Sequence, residues 1–311
     1  MVYAPSGVAQ SNRTDPLLML WLIPGALLLS LCSSEAIWQD WLQQPVSPCS
    51  LAQLRLPERL HFCGESVPLE LPEVREAIER EVLLLLQQPG QLVLYQKRAG
   101  RYFPLFERLL REAGMPRDLC YVAIAESALL PTAQSPKQAV GLWQFIQQTA
   151  RMMGLQVDEF VDERRHPERS TEAAVRYLQQ GYRLFGSWTL AVAGYNMGHE
   201  NLLAQLRAQG VSSFYDAFLN EETTRYVYRI IAIKHVLEHA AAYGVNVPPE
   251  DWYRLPQVRL VRWAEAIPDL ATWARQQGVR YKDVRLLNPW ILQSRLPAPP
   301  EGKAYEIALP E

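Results

Sequence analysis

The 311-residue chain is poor in cysteine: it has four, and none forms a CxxC pair or lies at a metal-site spacing from histidine. The sequence therefore predicts no metal site and no cofactor. Long runs of lysine or arginine are also missing, and the formal net charge of −2 argues against a nucleic-acid partner. No internal repeat is evident. What is present is an ordinary globular composition, with 49% hydrophobic residues and enough length for one large domain, alone or with a small second one.

The first 35 residues have the character of an export segment. Residues 17–31 are almost wholly apolar but contain Pro24-Gly25, and the run is too short to span a bilayer comfortably. Small residues follow the apolar run and allow cleavage. Only one arginine precedes the run, so the alternative that it is retained as a membrane anchor stays open. The LSLC run at 29–32 resembles the lipid-attachment signal of bacterial lipoproteins. The sequence thus predicts export, with membrane attachment through this segment or Cys32 as an alternative to cleavage.

The remaining cysteines have two different expected environments. If the chain is exported, Cys49 and Cys63 could pair, although spacing alone does not fix a connectivity. Cys120 lies in an apolar helical run and is expected to be a buried thiol.

Apolar periodicity predicts a mainly helical chain followed by a small β-α-α-β module. Pro248-Pro249 marks a linker between the two. Ser170 is expected to cap one of the helices. The predicted helices are 74–86, 103–113, the run around Glu126, 171–184, 188–196, 223–242, 270–277 and 282–287. The predicted organisation is a signal or anchor segment at 1–35, a lead-in with one helix at 36–90, a main domain at 91–247 and the module at 252–311.

Glu126 is the residue whose placement most needs an explanation. If its segment is helical, the side chains three and four positions away are Val122, Ala123, Leu129 and Leu130, all apolar. Pro131 is expected to end the helix, which places the acid near the electronegative C-terminal end. Desolvation and the helix dipole both raise the pKa of such a carboxyl group, so that it can act as a general acid.

Three short motifs follow in a specific order. Glu126-Ser127 precedes the GLWQF run at 141–145, which precedes the GYNMG run at 194–198. In this order the motifs resemble the lytic murein transglycosylases of the soluble-lytic-transglycosylase superfamily, and within it the membrane-bound type D branch. The resemblance extends from the FCGE run at 62–65 to Tyr243-Gly244. The chain departs from the family at Gly194, where alanine is usual, and glycine there costs a helix up to about 1 kcal/mol.

The resemblance implies a lysozyme-like catalytic domain of the α+β type, located in the periplasm, that cleaves the bond between N-acetylmuramic acid and N-acetylglucosamine in peptidoglycan strands. It implies that Glu126 is the sole catalytic acid and base and that Ser127 helps to position it or the substrate. Gln144 is expected to contact substrate, and the Tyr195 hydroxyl to steady Glu126. Asn196 belongs to the same motif with a partly structural role.

A single carboxylate is sufficient for this chemistry, although glycosidases ordinarily use two. The resemblance implies that the substrate's own 6-hydroxyl attacks C1 and leaves a 1,6-anhydro sugar, so that no water is added. A second carboxylate could be sought in the acidic loop at 158–163. We expect that loop to be solvated and paired with Arg164 and Arg165 instead.

The C-terminal module resembles a LysM module, which implies binding of N-acetylglucosamine chains. Its best-matching parts are Leu287-Asn288-Pro289 and the closing IALP run at 307–310. The usual Gly-Asp entry to the first helix appears here as Pro268-Asp269, so the module is a degenerate one.

Three other functions compete with this interpretation. His235, Glu238 and His239 form an HxxEH pattern, which can bind zinc on a helix, but two surface histidines explain it more simply. A non-catalytic wall-binding protein is the second alternative, and a hydrolytic muramidase is the third.

Overall fold

The computed structural model of the protein describes residues 54–311. The helices of these residues are, in chain order, α1 (Pro72–Leu86), α2 (Pro89–Glu112), α3 (Cys120–Ser127), α4 (Gln147–Met152), α5 (Pro167–Phe185), α6 (Trp188–Met197), α7 (His199–Gln209), α8 (Glu221–Glu238), α9 (Leu270–Gln276) and α10 (Tyr281–Leu287). The strands are β1 (Leu60–Phe62), β2 (Glu65–Val67), β3 (Val258–Trp263) and β4 (Tyr305–Pro310). Of the described residues, 55% are in helices and 10% in strands, which confirms the predicted mainly helical fold class.

The predicted export segment, Cys32 and Cys49 lie outside the described residues. Within 54–311, no helix combines the length and the apolar character needed to cross a membrane. Cys63 and Cys120 are both buried thiols, as expected for Cys120, and they do not pair with each other.

The centre of the main domain is helix α8, which packs against α1, α3 and α6. Its inward face is apolar, and residues 230–233 are completely buried. Burial on this scale contributes about 25 cal/mol per Å² of apolar surface, so α8 is held by packing more than by its own helix propensity. Asn220 caps its N-terminus by accepting a hydrogen bond from the Thr223 amide at 2.8 Å.

Several element boundaries differ from the predictions for physical reasons. Helix α2 begins at Pro89 rather than at residue 103, because proline is well suited to the first turn of a helix. The same rule moves the start of α5 to Pro167, with His166 rather than Ser170 as the N-cap. Ser170 is completely buried. The helix α7 was not predicted at all.

Two further predictions were wrong at the ends of the main domain. The hairpin β1–β2 forms inside the region predicted to be irregular, with Leu60 paired to Val67. Its turn is made by Cys63 and Gly64, which both have left-handed backbone angles. Helix α8 ends at Glu238 rather than at residue 242.

The C-terminal module has the predicted β-α-α-β order, and β3 pairs antiparallel with β4. Asp269 caps α9 by accepting hydrogen bonds from the amides of Ala271 and Thr272. The buried Asn288 joins α10 to β4, because its side chain donates to the Ala308 carbonyl and accepts from the Ala308 amide. Pro268-Asp269 therefore starts the first helix of the module, and Asn288-Pro289 connects its second helix to the last strand.

Candidate active site

Glu126 occupies the last turn of α3 and faces a cleft of about 610 Å³. This volume lies in the range of ligand sites. The helix ends earlier than Pro131 suggested, because Ala128 and Leu129 both adopt left-handed angles, with φ of 52° and 60°. The guanidinium of Arg98 donates to the Ala128 carbonyl at 2.9 Å and fixes this turn.

The environment of Glu126 raises its pKa to about 7, with burial as the largest cause. A hydrogen bond from the Tyr226 hydroxyl opposes this rise, and the nearby charge of Glu222 adds to it. A carboxylic acid of this pKa is well matched to neutral pH, where it can give up a proton and take one back.

Tyr226, on α8, is the hydrogen-bond partner of the acid: its hydroxyl donates to Glu126 Oε1 at 2.5 Å. Burial and the facing carboxyl group raise the pKa of Tyr226 far above its usual range, so the phenol keeps its proton. Sequence reasoning missed this residue. Its signal was its place on a long helix with an apolar inward face, where a buried tyrosine hydroxyl needs a partner.

Tyr195 was expected to hold Glu126 through its hydroxyl group, but that hydroxyl makes its hydrogen bond elsewhere. Its hydroxyl donates to the main-chain carbonyl of Trp143 at 2.7 Å. It still lines the cleft beside Glu126, on α6, but the contact it makes supports the loop at 141–145. The physical reason is that α8 crosses α3 directly, so the tyrosine of α8 is the closer of the two.

Ser127 lies behind the acid rather than in the cleft. Its hydroxyl is buried, 2.8 Å from the Leu142 carbonyl oxygen and 3.1 Å from that of Ala123. It therefore joins the C-terminal turn of α3 to the loop at 141–145, which agrees with a positioning role.

Gln144 lines the cleft in a left-handed conformation, with φ of 49°. Its side-chain nitrogen donates to the carbonyls of Gly141 at 2.8 Å and Ala133 at 3.2 Å. Since both neighbours are acceptors, the amide must present its nitrogen to them, and its oxygen stays available to a ligand. Gly141 is needed here because a Cβ would lie 1.9 Å from the Arg164 carbonyl oxygen.

Asn196 lines the cleft at the end of α6 and accepts a hydrogen bond from the Thr223 hydroxyl at 2.8 Å. It thereby ties α6 to the first turn of α8. The structure thus brings Glu126, Gln144, Tyr195 and Asn196 to one cleft, with Ser127 directly behind it.

Helix α6 owes its position to Glu65, a residue that sequence reasoning did not single out. The Glu65 carboxylate accepts hydrogen bonds from the Thr189 amide at 3.0 Å and the Ser187 hydroxyl at 2.9 Å. It also accepts from the Trp188 amide. A carboxylate at this position satisfies the free N–H groups and the dipole of the helix.

The acidic loop at 158–163 does not supply a second carboxylate to the cleft, and the expectation that it is solvated was wrong for one of its members, Asp162. Asp162 and Arg164 are buried and form a two-pronged ion pair, with both distances 2.8 Å. Arg164 also donates to the carbonyls of Gln138 and Phe145 at 3.1 Å. The acidic side chain that does line the cleft is Glu222, which faces Lys137 at 3.2 Å.

The HxxEH residues are occupied by other contacts. His235 is buried, and its Nε2 lies 2.7 Å from the Tyr243 hydroxyl. His239 Nδ1 lies 2.9 Å from the His235 carbonyl, and Glu238 is paired with Lys234. Within residues 54–311, no group of three or more potential ligands is arranged to hold a metal ion.

Comparisons with known proteins identify two matching domain families. Residues 104–218 match the family described as "Transglycosylase SLT domain", and residues 260–311 match the "Soluble lytic transglycosylase C-terminal LysM-like domain". The chain therefore carries a lytic-transglycosylase domain followed by a LysM-like domain, which confirms the resemblance seen in the motifs.

Among individual proteins, the chain is similar to "Membrane-bound lytic murein transglycosylase D" of Escherichia coli strain K12, with 30% identity over 76% of this chain and 53% of the relative. It is also similar to "Peptidoglycan transglycosylase gp16" of Escherichia phage T7, with 33% identity over 42% of this chain and 10% of that protein. The chain spans about half the length of the Escherichia coli relative.

Among solved structures, the 70 kDa soluble lytic transglycosylase of Escherichia coli has 18% identity and a TM-score of 0.41, covering 71% of this chain and 45% of that one. The lytic transglycosylase Slt of Pseudomonas aeruginosa has 21% identity and a TM-score of 0.38, covering 47% of this chain and 25% of that one.

Proposed function

We propose that this protein is an exported peptidoglycan lytic transglycosylase that cleaves the β-1,4 bond between N-acetylmuramic acid and N-acetylglucosamine and forms 1,6-anhydro ends. One observation carries the proposal: a single carboxyl group, with a pKa of about 7, faces a sugar-sized cleft and is held by a tyrosine hydroxyl. The sequence similarity to lytic murein transglycosylases supports the same conclusion.

In the first step, Glu126 donates its proton to the glycosidic oxygen as the C1–O bond breaks. Positive charge develops at C1, where the substrate's 2-acetamido oxygen can stabilise it. The negative charge left on Glu126 is stabilised by the Tyr226 hydroxyl, which already points at Oε1.

In the second step, the muramyl 6-hydroxyl attacks C1. Its oxygen forms the new C1–O6 bond, and its proton passes to Glu126, which restores the acid. No water is consumed, so one carboxyl group completes the cycle. In this scheme Gln144 contacts the sugar through its free amide oxygen, while Ser127, Tyr195 and Asn196 keep the walls of the cleft in place.

The hydrolytic alternative has one observation in its favour, the presence of Glu222 in the same cleft. A glycosidase with two carboxylates would use it as base or nucleophile. Glu222 is exposed, and its carboxylate is engaged by Lys137 at 3.2 Å. Substitution Glu222→Gln separates the two mechanisms at pH 5, below the alkaline limb of the profile: the transglycosylase keeps its activity there, whereas a two-carboxylate hydrolase loses nearly all of it.

The test of the proposal is Glu126→Gln together with product analysis. Because one group supplies both proton transfers, we expect turnover of peptidoglycan to fall by at least about 1000-fold. Mass spectrometry of the wild-type products should show anhydro ends, lighter than hydrolysed ends by one water. The melting temperature of Glu126→Gln serves as the folding control. Reducing ends in the wild-type products would contradict transglycosylation, and substantial activity in a folded Glu126→Gln would contradict the role of Glu126.

A further inference from the structure

A second concave site is lined by the turn that follows Glu126 and Ser127. It has a volume of about 240 Å³, and we call it the arginine pocket, defined by Arg98, Arg101, Tyr102, Tyr253 and Arg285 with the turn at 129–132 and residues 286 and 289. Two of its arginines come from α2 and one from α10, so it is built jointly by the main domain and the LysM-like module.

The pocket contains three positive charges and no acidic side chain. None of the three arginines forms an ion pair with any carboxylate of residues 54–311. Arg98 and Arg101 are also one helical turn apart, an arrangement of like charges that destabilises a helix. The fold therefore maintains a positive charge here that nothing in the described protein neutralises.

The arginines are held in place by neutral partners, which leaves their charge available. Arg285 donates to the carbonyls of Gln293 and Leu292 at 2.8 and 3.2 Å. The guanidinium of Arg101 stacks 5.2 Å from the centre of the Tyr253 ring, and its Nε is buried without a hydrogen-bond partner among residues 54–311. A guanidinium fixed on an aromatic face is suited to binding a planar carboxylate through two parallel hydrogen bonds.

The connection to the catalytic cleft runs through one loop. Residues 129–132 line the arginine pocket, and residues 135–137 of the same loop line the cleft that contains Glu126. A ligand that fills both sites must therefore have a neutral part for the cleft and an acidic part for the pocket. A glycan strand with acidic peptides attached has this composition.

We propose that the arginine pocket is a carboxylate-binding site for the acidic peptide of a peptidoglycan strand whose sugars occupy the cleft. This assignment rests on the proposed function for the identity of the strand. It predicts that the protein discriminates between strands with and without peptides, and that the LysM-like module contributes to this discrimination through Arg285.

The first experiment measures binding without turnover. The probe is the peptide L-Ala-γ-D-Glu-meso-diaminopimelate, titrated by calorimetry into the protein at low salt, where exposed charges are least screened. The test variant is R101Q/R285Q, and R207Q/R275Q is the charge-matched control, because both of its arginines are exposed and lie outside the pocket. We expect the test variant to weaken binding by about tenfold or more and the control to leave it unchanged.

Arg98 is left intact because it holds the Ala128 carbonyl next to the catalytic turn. The single variant R101Q covers the case in which loss of Arg285 unfolds the module, and it should weaken binding in the same direction. Inorganic phosphate and acetate are titrated as well. Equal affinity of the peptide for wild type, test and control variants would overturn the proposal, and so would phosphate or acetate binding as tightly as the peptide.

The second experiment compares two substrates, intact peptidoglycan and glycan from which an amidase has removed the peptides. R101Q/R285Q should raise KM about tenfold on the intact strand, with kcat preserved and the stripped strand cleaved normally. Equal loss on both substrates would overturn the assignment. If the wild type cleaves neither substrate, the proposed function fails, while the binding titration still decides whether the pocket takes the peptide.

Discussion

At the scale of single residues, two neighbours shift the pKa of Glu126 in opposite directions: the hydroxyl group of Tyr226 and the carboxylate of Glu222. The Tyr226 hydrogen bond stabilises the charged form and lowers the pKa of Glu126, whereas the negative charge of Glu222 raises it. Glu126 must carry a proton in order to donate it to the glycosidic oxygen. The value of kcat/KM should therefore fall as pH rises through about 7, the pKa of Glu126.

This balance predicts a pair of opposite shifts. Tyr226→Phe removes the lowering contact, so the alkaline limb of the kcat/KM profile should move to higher pH. The lost hydrogen bond should also cost about tenfold in kcat. Glu222→Gln removes the raising charge, so its alkaline limb should move to lower pH. Profiles measured from pH 5 to 9 on the same glycan test both, and shifts of the same sign would contradict the arrangement.

Gly194, where the family usually has alanine, is explained by its neighbour His199. A Cβ on Gly194 would lie 2.7 Å from the His199 ring, which stacks on Tyr177 with centres 4.2 Å apart. The glycine therefore makes room for a histidine wedged between α5, α6 and α7. The helix loses propensity but gains this packing.

A double-mutant cycle follows from this explanation. Gly194→Ala alone should destabilise the protein by about 1 kcal/mol or more, because the methyl group overlaps the ring. In a His199→Ala background the clash with the histidine ring is gone and only the Phe185 ring stays close, at 3.1 Å. The same substitution should then destabilise the protein less, or stabilise it by up to about 1 kcal/mol through helix propensity. Urea unfolding gives the four free energies. Additive effects would show that the two residues do not interact.

At the scale of elements, the walls of the cleft are held by buried or half-buried charged groups beneath them. Glu65 fixes the N-terminus of α6, and the buried Glu81 of α1 holds Arg225 on α8 at 2.9 Å. The Arg164–Asp162 pair supports the loop that carries Gln144 through the Phe145 carbonyl. Each of these groups acts between elements, so sequence spacing along one element does not reveal it.

Because Arg164 holds the loop that carries Gln144, substitution of Arg164 should lower stability and kcat more than substitution of its neighbour Arg165. Arg164→Lys keeps the charge but cannot form the two-pronged pair and reach both carbonyls. We expect a cost of about 3 kcal/mol in the free energy of unfolding and a lower kcat, with the pH profile unchanged because Glu126 keeps its surroundings. Arg165→Lys is the comparison, because Arg165 makes only the longer ion pair with Asp162, at 3.7 Å, which a lysine can keep. Equal stability and activity in the two variants would show that the buried pair does not hold the loop.

At the scale of the whole molecule, the LysM-like module shares a core with the main domain. Val161 lies in the same buried cluster as Trp290 and Ile291 of the module. The two parts also exchange backbone hydrogen bonds, from the Asp162 amide to the Trp290 carbonyl at 2.9 Å and from the Leu292 amide to the Phe160 carbonyl at 2.8 Å. The segment after Pro248-Pro249 is packed as well, since the Tyr253 amide donates to the Lys97 carbonyl at 2.9 Å.

This shared core predicts that the two parts unfold together. Trp290→Ala should cost about 3–5 kcal/mol and lower the melting temperature of the entire described region in one transition. Residual enzymatic activity and tryptophan fluorescence, followed over the same temperature range, should lose their signals together. If activity survives past the fluorescence transition of Trp290→Ala, the main domain is stable without the module.

The sequence by itself predicted the helical character of the chain and the order of the module, because periodicity and capping residues are local properties. Motif order carried the family resemblance, and with it the prediction that Glu126 is the acid. It also brought together Gln144, Tyr195 and Asn196 as members of one site. Only the tertiary structure decided which tyrosine reaches Glu126, which acidic side chain enters the cleft and where the unpaired arginines meet. Those outcomes depend on how α3, α6 and α8 cross and on how the module docks. The positions involved lie far apart in the sequence, as with Glu126 and Tyr226, which are 100 residues apart.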